Sequence, residues 1–184
     1  FQLSAMATWP HRVNNVATID GYYLRPWIME LLGCICKRKF TTDLHLVKSI
    51  RHVLKKGDVL CMYPEARYSP VGTTAILPDS LGKLVKMNKV PVVVMLHHGN
   101  YLYTPFWNFR KPRKCPLYTT VEQILTAEQV EQMSAEEINE AIRVAMQYDE
   151  YKWQESQNIR ITEPHRAEGL HKVLYQCPHC LTEY

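Results

Sequence analysis

No apolar run in these 184 residues approaches the roughly 20 needed to cross a bilayer, and the first residues lack the basic, apolar and small-residue order of a secretory signal. Any membrane contact by this stretch of chain is therefore expected to be peripheral. G-x-S-x-G, the P-loop, G-x-G-x-x-G and H-E-x-x-H are all missing. Serine hydrolysis at a nucleophile elbow, nucleotide phosphoryl transfer, dinucleotide oxidoreduction and zincin chemistry thus lack their usual marks. There is no internal repeat and no low-complexity tract. An initiator methionine is also missing, and Phe1 to Ala7 reads as a helix with no capping residue before it, as though the chain begins inside an element.

What is present is ordinary for a globular domain, with 46% hydrophobic and 22% charged residues. The charge is unevenly placed. Residues 1–120 carry 17 Lys and Arg against 6 Asp and Glu, a net of +11, whereas residues 121–184 carry 5 against 12, a net of −7. The basic part favours phosphate-bearing ligands or anionic lipid surfaces, and the acidic tail argues against nucleic acid. Cys34, Cys36, Cys61, Cys115, Cys177 and Cys180 accompany no secretory segment, so reduced thiols in the cytosol are expected.

Hydrophobic periodicity and turn residues set the expected elements. Val13 to Thr18 reads as a strand, Tyr22 to Leu32 as a helix closed by Gly33, and Cys34 to Cys36 as a short strand running into Lys37-Arg38-Lys39. From Asp43 to Lys55, the set Leu44, Val47, Ile50, Val53 and Leu54 has helical spacing, with Thr41 or Thr42 as cap and Gly57 as stop. Asp58 to Tyr63 suits a buried strand, Asp79 to Met87 a helix, and Val90 to Leu96 another strand. Residues 99–115 read as an ordered loop anchored by aromatics, and Pro116 to Leu125 as a strand. Thr126 and Ser134 each open a helix through a capping box, the second running on to Trp153 as a surface helix. This alternation implies an α/β fold with a mainly parallel sheet flanked by helices, followed by a helical C-terminal extension and half of a zinc-ribbon knuckle.

The segment Met62-Tyr63-Pro64-Glu65-Ala66-Arg67-Tyr68-Ser69 is the most informative. It places an acid, a base and a hydroxyl in a turn directly after a strand, and open α/β sheets bind ligands beyond the carboxyl ends of their strands. An exposed local ion pair is the plainer reading of the same residues.

Taken in order, Gly33-Cys34-Ile35-Cys36-Lys37-Arg38, Tyr63-Pro64-Glu65-Ala66-Arg67-Tyr68-Ser69 and Val90-Pro91-Val92-Val93 resemble the second, third and fourth blocks of the glycerolipid acyltransferases that acylate lysophosphatidic acid. In the third block, F-P-E-G-T-R-S, Pro64, Glu65 and Ser69 stand in register, Ala66 replaces the Gly, and Arg67 stands one position early. The phosphate contact that the resemblance implies is thus open between Arg67 and Lys37 or Arg38. Lys37, Arg38, Glu65, Arg67 and Ser69 are the implied substrate-binding residues, with Glu65 holding a glycerol hydroxyl or an arginine.

The family's first block, N-H-x-x-x-x-D, supplies a general base and the acid that orients it. No histidine of this chain has an aspartate five residues later. The dyad is therefore expected upstream of Phe1, or else lost in an inactive relative, and this stretch alone is expected to be an inactive fragment. The resemblance implies acyl-CoA or acyl-carrier protein as donor, a lysophospholipid as acceptor, no catalytic cofactor, and a cytoplasmic enzyme peripheral to the inner face of the cell membrane. A non-enzymatic zinc-binding or anionic-membrane-binding module is the alternative.

Near the other end, Cys177-Pro178-His179-Cys180 has the spacing of a zinc knuckle and supplies two of four ligands. His97-His98 reads as buried or turn histidines, and His45 and His52 as solvent-facing. The expected organisation is an acyltransferase domain over 1–125, a helical extension over 126–172 and a partial zinc ribbon over 173–184.

Overall fold

The computed structural model describes residues 6, 8–10, 13–19, 26–38, 43–66 and 69–183. Most of the expected first helix, the expected caps Thr41 and Thr42, and Arg67 lie outside them. In chain order the elements are β1 (Val13–Thr18), α1 (Pro26–Leu31), β2 (Ile35–Lys37), α2 (Leu44–Lys55), β3 (Val59–Cys61), α3 (Ser80–Asn88), β4 (Val92–His98), α4 (Asn100–Tyr103), β5 (Tyr118–Leu125), α5 (Ala127–Gln132), α6 (Ala135–Ala145) and α7 (Glu150–Ser156). Single 3₁₀ turns occur at Phe106–Asn108 and Leu170–Lys172. Two compact units form, the first from Phe1–Pro64, Pro78–Val93 and Gln123–Ala141, the second from Glu65–Leu77, Val94–Glu122 and Ile142–Tyr184.

In the first unit β1 is the central strand of a parallel sheet ordered β2-β1-β3. Its first half pairs with β3, Val13 opposite Val59 and Asn15 opposite Cys61, and its second half with β2, Val16 opposite Ile35 and Thr18 opposite Lys37. Burial of Val13, Ala17, Ile35 and Cys61 fits strands covered by helices. α2 packs on β2 and β3. Its apolar stripe centres on Ile50, which is 1% exposed, whereas Leu44 in the first turn is 68% exposed and not inward as expected. The cap is Asp43, whose carboxylate accepts the Leu46 N–H at 3.0 Å.

α3, α5 and the start of α6 complete this unit. Gly82 permits a close crossing of α3 and α6, because a Cβ there would strike the Ala135 carbonyl; its N–H donates to Asn139 Oδ1 at 2.6 Å. Lys86 Nζ donates to the carbonyls of Val130 and Glu131 at 3.2 and 2.9 Å, satisfying the free end of α5. Both capping boxes form: Thr126 Oγ1 accepts the Gln129 N–H at 3.2 Å and Ser134 Oγ accepts the Glu137 N–H at 3.2 Å.

β4 and β5 make a separate two-stranded sheet instead of extending the parallel one. In the second unit, residues 99–115 hold α4 and a 3₁₀ turn where a loop was expected, with Trp107 buried while Phe106 and Phe109 face water. The helix expected to run to Trp153 is two helices. At the break, Thr74 Oγ1 donates to the Met146 carbonyl at 2.6 Å and accepts the Tyr148 N–H at 2.9 Å, and Asp149 caps α7 through the N–H groups of Tyr151 and Lys152. The backbone groups freed by ending α6 are thereby satisfied.

Candidate functional site

Strand order β2-β1-β3 puts a topological switch point between β1 and β3, the place where parallel α/β sheets bind ligands beyond their strand ends. The carboxyl edge of this sheet presents Thr18 at the end of β1, Lys37 and Arg38 at the end of β2, and Met62, Tyr63 and Pro64 continuing from β3. Lys37 and Arg38 are both exposed. The Arg38 N–H donates to Asp43 Oδ2 at 3.2 Å while Oδ1 caps α2, so one carboxylate ties the basic strand end to the start of a helix. The Leu46 N–H first, then the Arg38 N–H, holds the Asp43 carboxyl below its usual range. What this edge offers is an ammonium and a guanidinium open to an anion in solvent, with Arg38 suited to bidentate contact.

Glu65 follows at once in the chain and belongs to the second unit, where it is half-buried. Ala66 has φ 52°. This is the left-handed region, which glycine enters freely and other L-residues enter at a cost of about 1–2 kcal/mol. The third block of the resemblance carries a glycine at this position, so the backbone conformation that glycine serves is present here although the residue is not. Ser69 Oγ donates to the Thr73 carbonyl at 2.9 Å, which commits the hydroxyl to closing the turn. The two units thus divide the expected residues: Lys37 and Arg38 lie in the first, Glu65, Ser69, Cys177 and Cys180 in the second, and Arg67 outside the described residues.

The chain shares its fold with a lysophosphatidic acid acyltransferase. It matches the crystal structure of PlsC, the 1-acyl-sn-glycerophosphate (LPA) acyltransferase of Thermotoga maritima, with a TM-score of 0.56 and 15% identity, over 83% of this chain and 59% of that one. The chain therefore spans about three fifths of the length of PlsC. No protein-family model and no curated protein sequence matches it. At this identity the likeness is one of fold, and among the described residues no helix is long and apolar enough to cross a membrane.

Several chemically active groups escaped the reading of motifs. In the second unit a cleft of about 530 Å³ is lined by Tyr103, Arg113, Lys114 and Cys115. Arg113 is 7% exposed, lies over the Trp107 ring at 5.3 Å, donates from Nη2 to the Arg166 carbonyl, and leaves its buried Nε without a partner. A second cleft of about 570 Å³ lies between His98, Tyr148, Lys152 and Trp153. His98 bonds Thr120 Oγ1 through Nε2 at 3.0 Å and leaves Nδ1 buried and unpaired, while His97 Nδ1 bonds Thr119 Oγ1 at 2.9 Å. Burial draws the His97 imidazole below its usual range. The His pair ending a Val-rich strand reads as buried or turn histidines, but a single Arg amid prolines carries no signal of burial, which arises from its stack on Trp107 and its bond to the Arg166 carbonyl.

The expected partial zinc ribbon supplies two ligands of four, and among the described residues no three His, Cys, Asp or Glu side chains gather to hold a metal. Cys177 and Cys180 are both free thiols, the first half-buried and the second exposed. Hydrogen bonds from Thr182, ahead of one from Cys177, lower the Cys180 thiol to about 7.

Proposed function

We propose that these residues are the binding portion of an acyltransferase that transfers a fatty acyl group from acyl-CoA or acyl-carrier protein to the free hydroxyl of lysophosphatidic acid. The observation that carries this reading is the left-handed Ala66 between Glu65 and Ser69, in a turn issuing from a strand end at the switch point of an acyltransferase-like fold. Lys37 and Arg38 at the same edge of the sheet as Tyr63 and Pro64 support an anionic acceptor.

In this proposal the roles divide by chemistry. Lys37 and Arg38, or Arg67, hold the acceptor's phosphate, and Glu65 accepts a hydrogen bond from a glycerol hydroxyl, as the resemblance implies. Proton removal from the attacking hydroxyl falls to a His-x-x-x-x-Asp pair, which residues 1–184 do not contain, so these residues alone bind but do not turn over. The thioester carbonyl of the donor develops negative charge as it is attacked, and that charge needs hydrogen-bond donors fixed in advance. Residues 1–125 carry the acyltransferase role, and contact with the inner face of the membrane is peripheral.

Binding tests the basic edge. Calorimetric titration of residues 1–184 with short-chain lysophosphatidic acid below its micellar concentration is expected to give an affinity that falls with salt. The Lys37→Ala/Arg38→Ala double variant should weaken it at least tenfold, and the corresponding monoacylglycerol, which lacks the phosphate, should bind far more weakly. Equal affinity for the two lipids, or a double variant that binds normally, would remove the basis for the head-group assignment.

A further inference from the structure

The cleft of about 530 Å³ in the second unit is where charge and burial disagree. Tyr103, Pro112, Arg113, Lys114, Cys115 and Pro116 line it. The Arg113 N–H donates to the Tyr103 carbonyl at 2.8 Å, which closes residues 104–112 into a loop and sets the two ends of that loop side by side. Within the loop Trp107, 5% exposed, carries the Arg113 guanidinium over its ring at 5.3 Å, while Nη2 donates to the Arg166 carbonyl. Gly169, at φ 82°, lets the chain that carries Arg166 come so close, because a Cβ there would meet the Trp107 carbonyl at 2.7 Å.

A guanidinium so enclosed normally has a carboxylate beside it, because a buried charge is costly unless it is paired. Arg113 is 7% exposed, forms no ion pair among the described residues, and keeps its Nε buried without an acceptor. Glu163 is the acid whose field reaches it, but that side chain is engaged elsewhere: its Oε1 accepts the Lys114 N–H at 2.7 Å, and it does not line the cleft. The exposed Lys114 ammonium also forms no ion pair among the described residues, whereas that of Lys111 is taken by Glu168 at 2.7 Å. Burial raises the Cys115 thiol, so it adds no negative charge at neutral pH. Two cations without counter-ions thus share one cleft whose other walls are a tyrosine and two prolines. Paired cations favour a dianion, and the volume lies within the range of about 300–1,000 Å³ that accepts a small organic ligand.

We propose that this cleft binds a small organic phosphate monoester, with its phosphate between Arg113 and Lys114 and its apolar part against Tyr103, Pro112 and Pro116. The Trp107 ring and the Arg166 carbonyl fix the guanidinium before the ligand arrives, so little freedom is lost in ordering it. The phosphate supplies the counter-charge and the acceptor oxygens that the protein leaves out. The claim is independent of the acyl-transfer reading, because it uses none of the residues at the edge of the parallel sheet.

Calorimetric titration with phenyl phosphate tests it. The parent for these titrations is residues 1–184 carrying Lys37→Ala/Arg38→Ala, so that the basic sheet edge contributes no heat and the two proposals fail separately. Phenyl phosphate should bind as a single molecule per chain with millimolar or tighter affinity, and at least fivefold more tightly than inorganic phosphate or benzoate. Adding Lys114→Ala, at an exposed position, should weaken binding at least fivefold. Arg113→Lys, which keeps the charge but not the planar fork, should weaken it at least tenfold, with far-ultraviolet circular dichroism as the control for folding. Inorganic phosphate bound as tightly as phenyl phosphate would overturn the organic ligand, and benzoate bound as tightly would overturn the dianion. Lack of saturable heat, or a Lys114→Ala chain that binds like its parent, would overturn the cleft as a site.

Discussion

In the first unit the most deeply buried large side chains are Ile50, Val130 and Ile138, all aliphatic; in the second they include the carboxylate of Glu150, at 1% exposure, beside Leu102. Orphaned polar atoms follow the same division. Asn15 Oδ1 is one in the first unit, whereas the second holds His98 Nδ1, Trp107 Nε1, Asn108 Nδ2, Arg113 Nε and His165 Nε2. The first unit is held by apolar burial, each fully buried Ile or Val contributing about 1.5–3 kcal/mol. The second adds to its buried Val94, Leu102, Trp107 and Ile142 specific polar contacts such as the Glu150 Oε1 bond to the Leu102 N–H at 3.3 Å and the Arg113 stack on Trp107. Buried polar atoms without partners are costly, and where they gather beside a cleft they mark a region shaped by something other than stability.

This contrast breaks most readily at the cores. Ile138→Ala should cost about 2–5 kcal/mol, as expected for a large-to-small change at a site with 0% exposure. Glu150→Gln keeps the shape and an acceptor for the Leu102 N–H while removing the charge, so urea unfolding should place it within about 1.5 kcal/mol of the parent, or above it. A glutamine variant as damaged as Ile138→Ala would show that the charge itself holds the second unit. Next in size is Thr74→Val, which removes the hydroxyl between the Met146 carbonyl and the Tyr148 N–H and should cost about 1–3 kcal/mol in the same assay.

Cysteine reactivity gives the smallest and most local contrast. Burial raises the thiol of Cys34 in the first unit and of Cys115 in the second, while hydrogen bonds lower that of Cys180 to about 7. Only the thiolate is alkylated, so the rate at metal-free Cys180 should be half-maximal near pH 7, with Cys34 and Cys115 still rising above pH 9. Mass-spectrometric counting of iodoacetamide adducts across pH distinguishes the three. Equal profiles would mean that the turn around Cys180 does not form.

What could be read from residue order was what local chemistry decides. Val13–Thr18 is apolar and β-branched enough to be found as a strand, and the Thr126 and Ser134 boxes carry both reciprocal partners within four residues. What could not be read depended on distant partners. The break after Ala145 needs Thr74, some seventy positions earlier, to take up the freed backbone groups. The Asp43 cap was missed in favour of a threonine because the helix begins at Leu44, the first apolar residue of its pattern, and not at Asp43 as expected. Arg113 and Glu150 look like surface residues in any list, and only tertiary packing buries them. At the candidate site the order Glu65, Ala66, Ser69 was legible, but the left-handed turn at Ala66 was not, since alanine does not announce it.

The central claim is that the turn after β3 serves acyl transfer to a phosphate-bearing lipid. Its most direct measurement is the steady-state rate of lysophosphatidic acid acylation by the full-length enzyme carrying Glu65→Ala, with Glu65→Gln and a thermal melt beside it. The account predicts a loss of at least a hundredfold in kcat/KM for Glu65→Ala with an unchanged melting temperature. Parental turnover by that variant would contradict it.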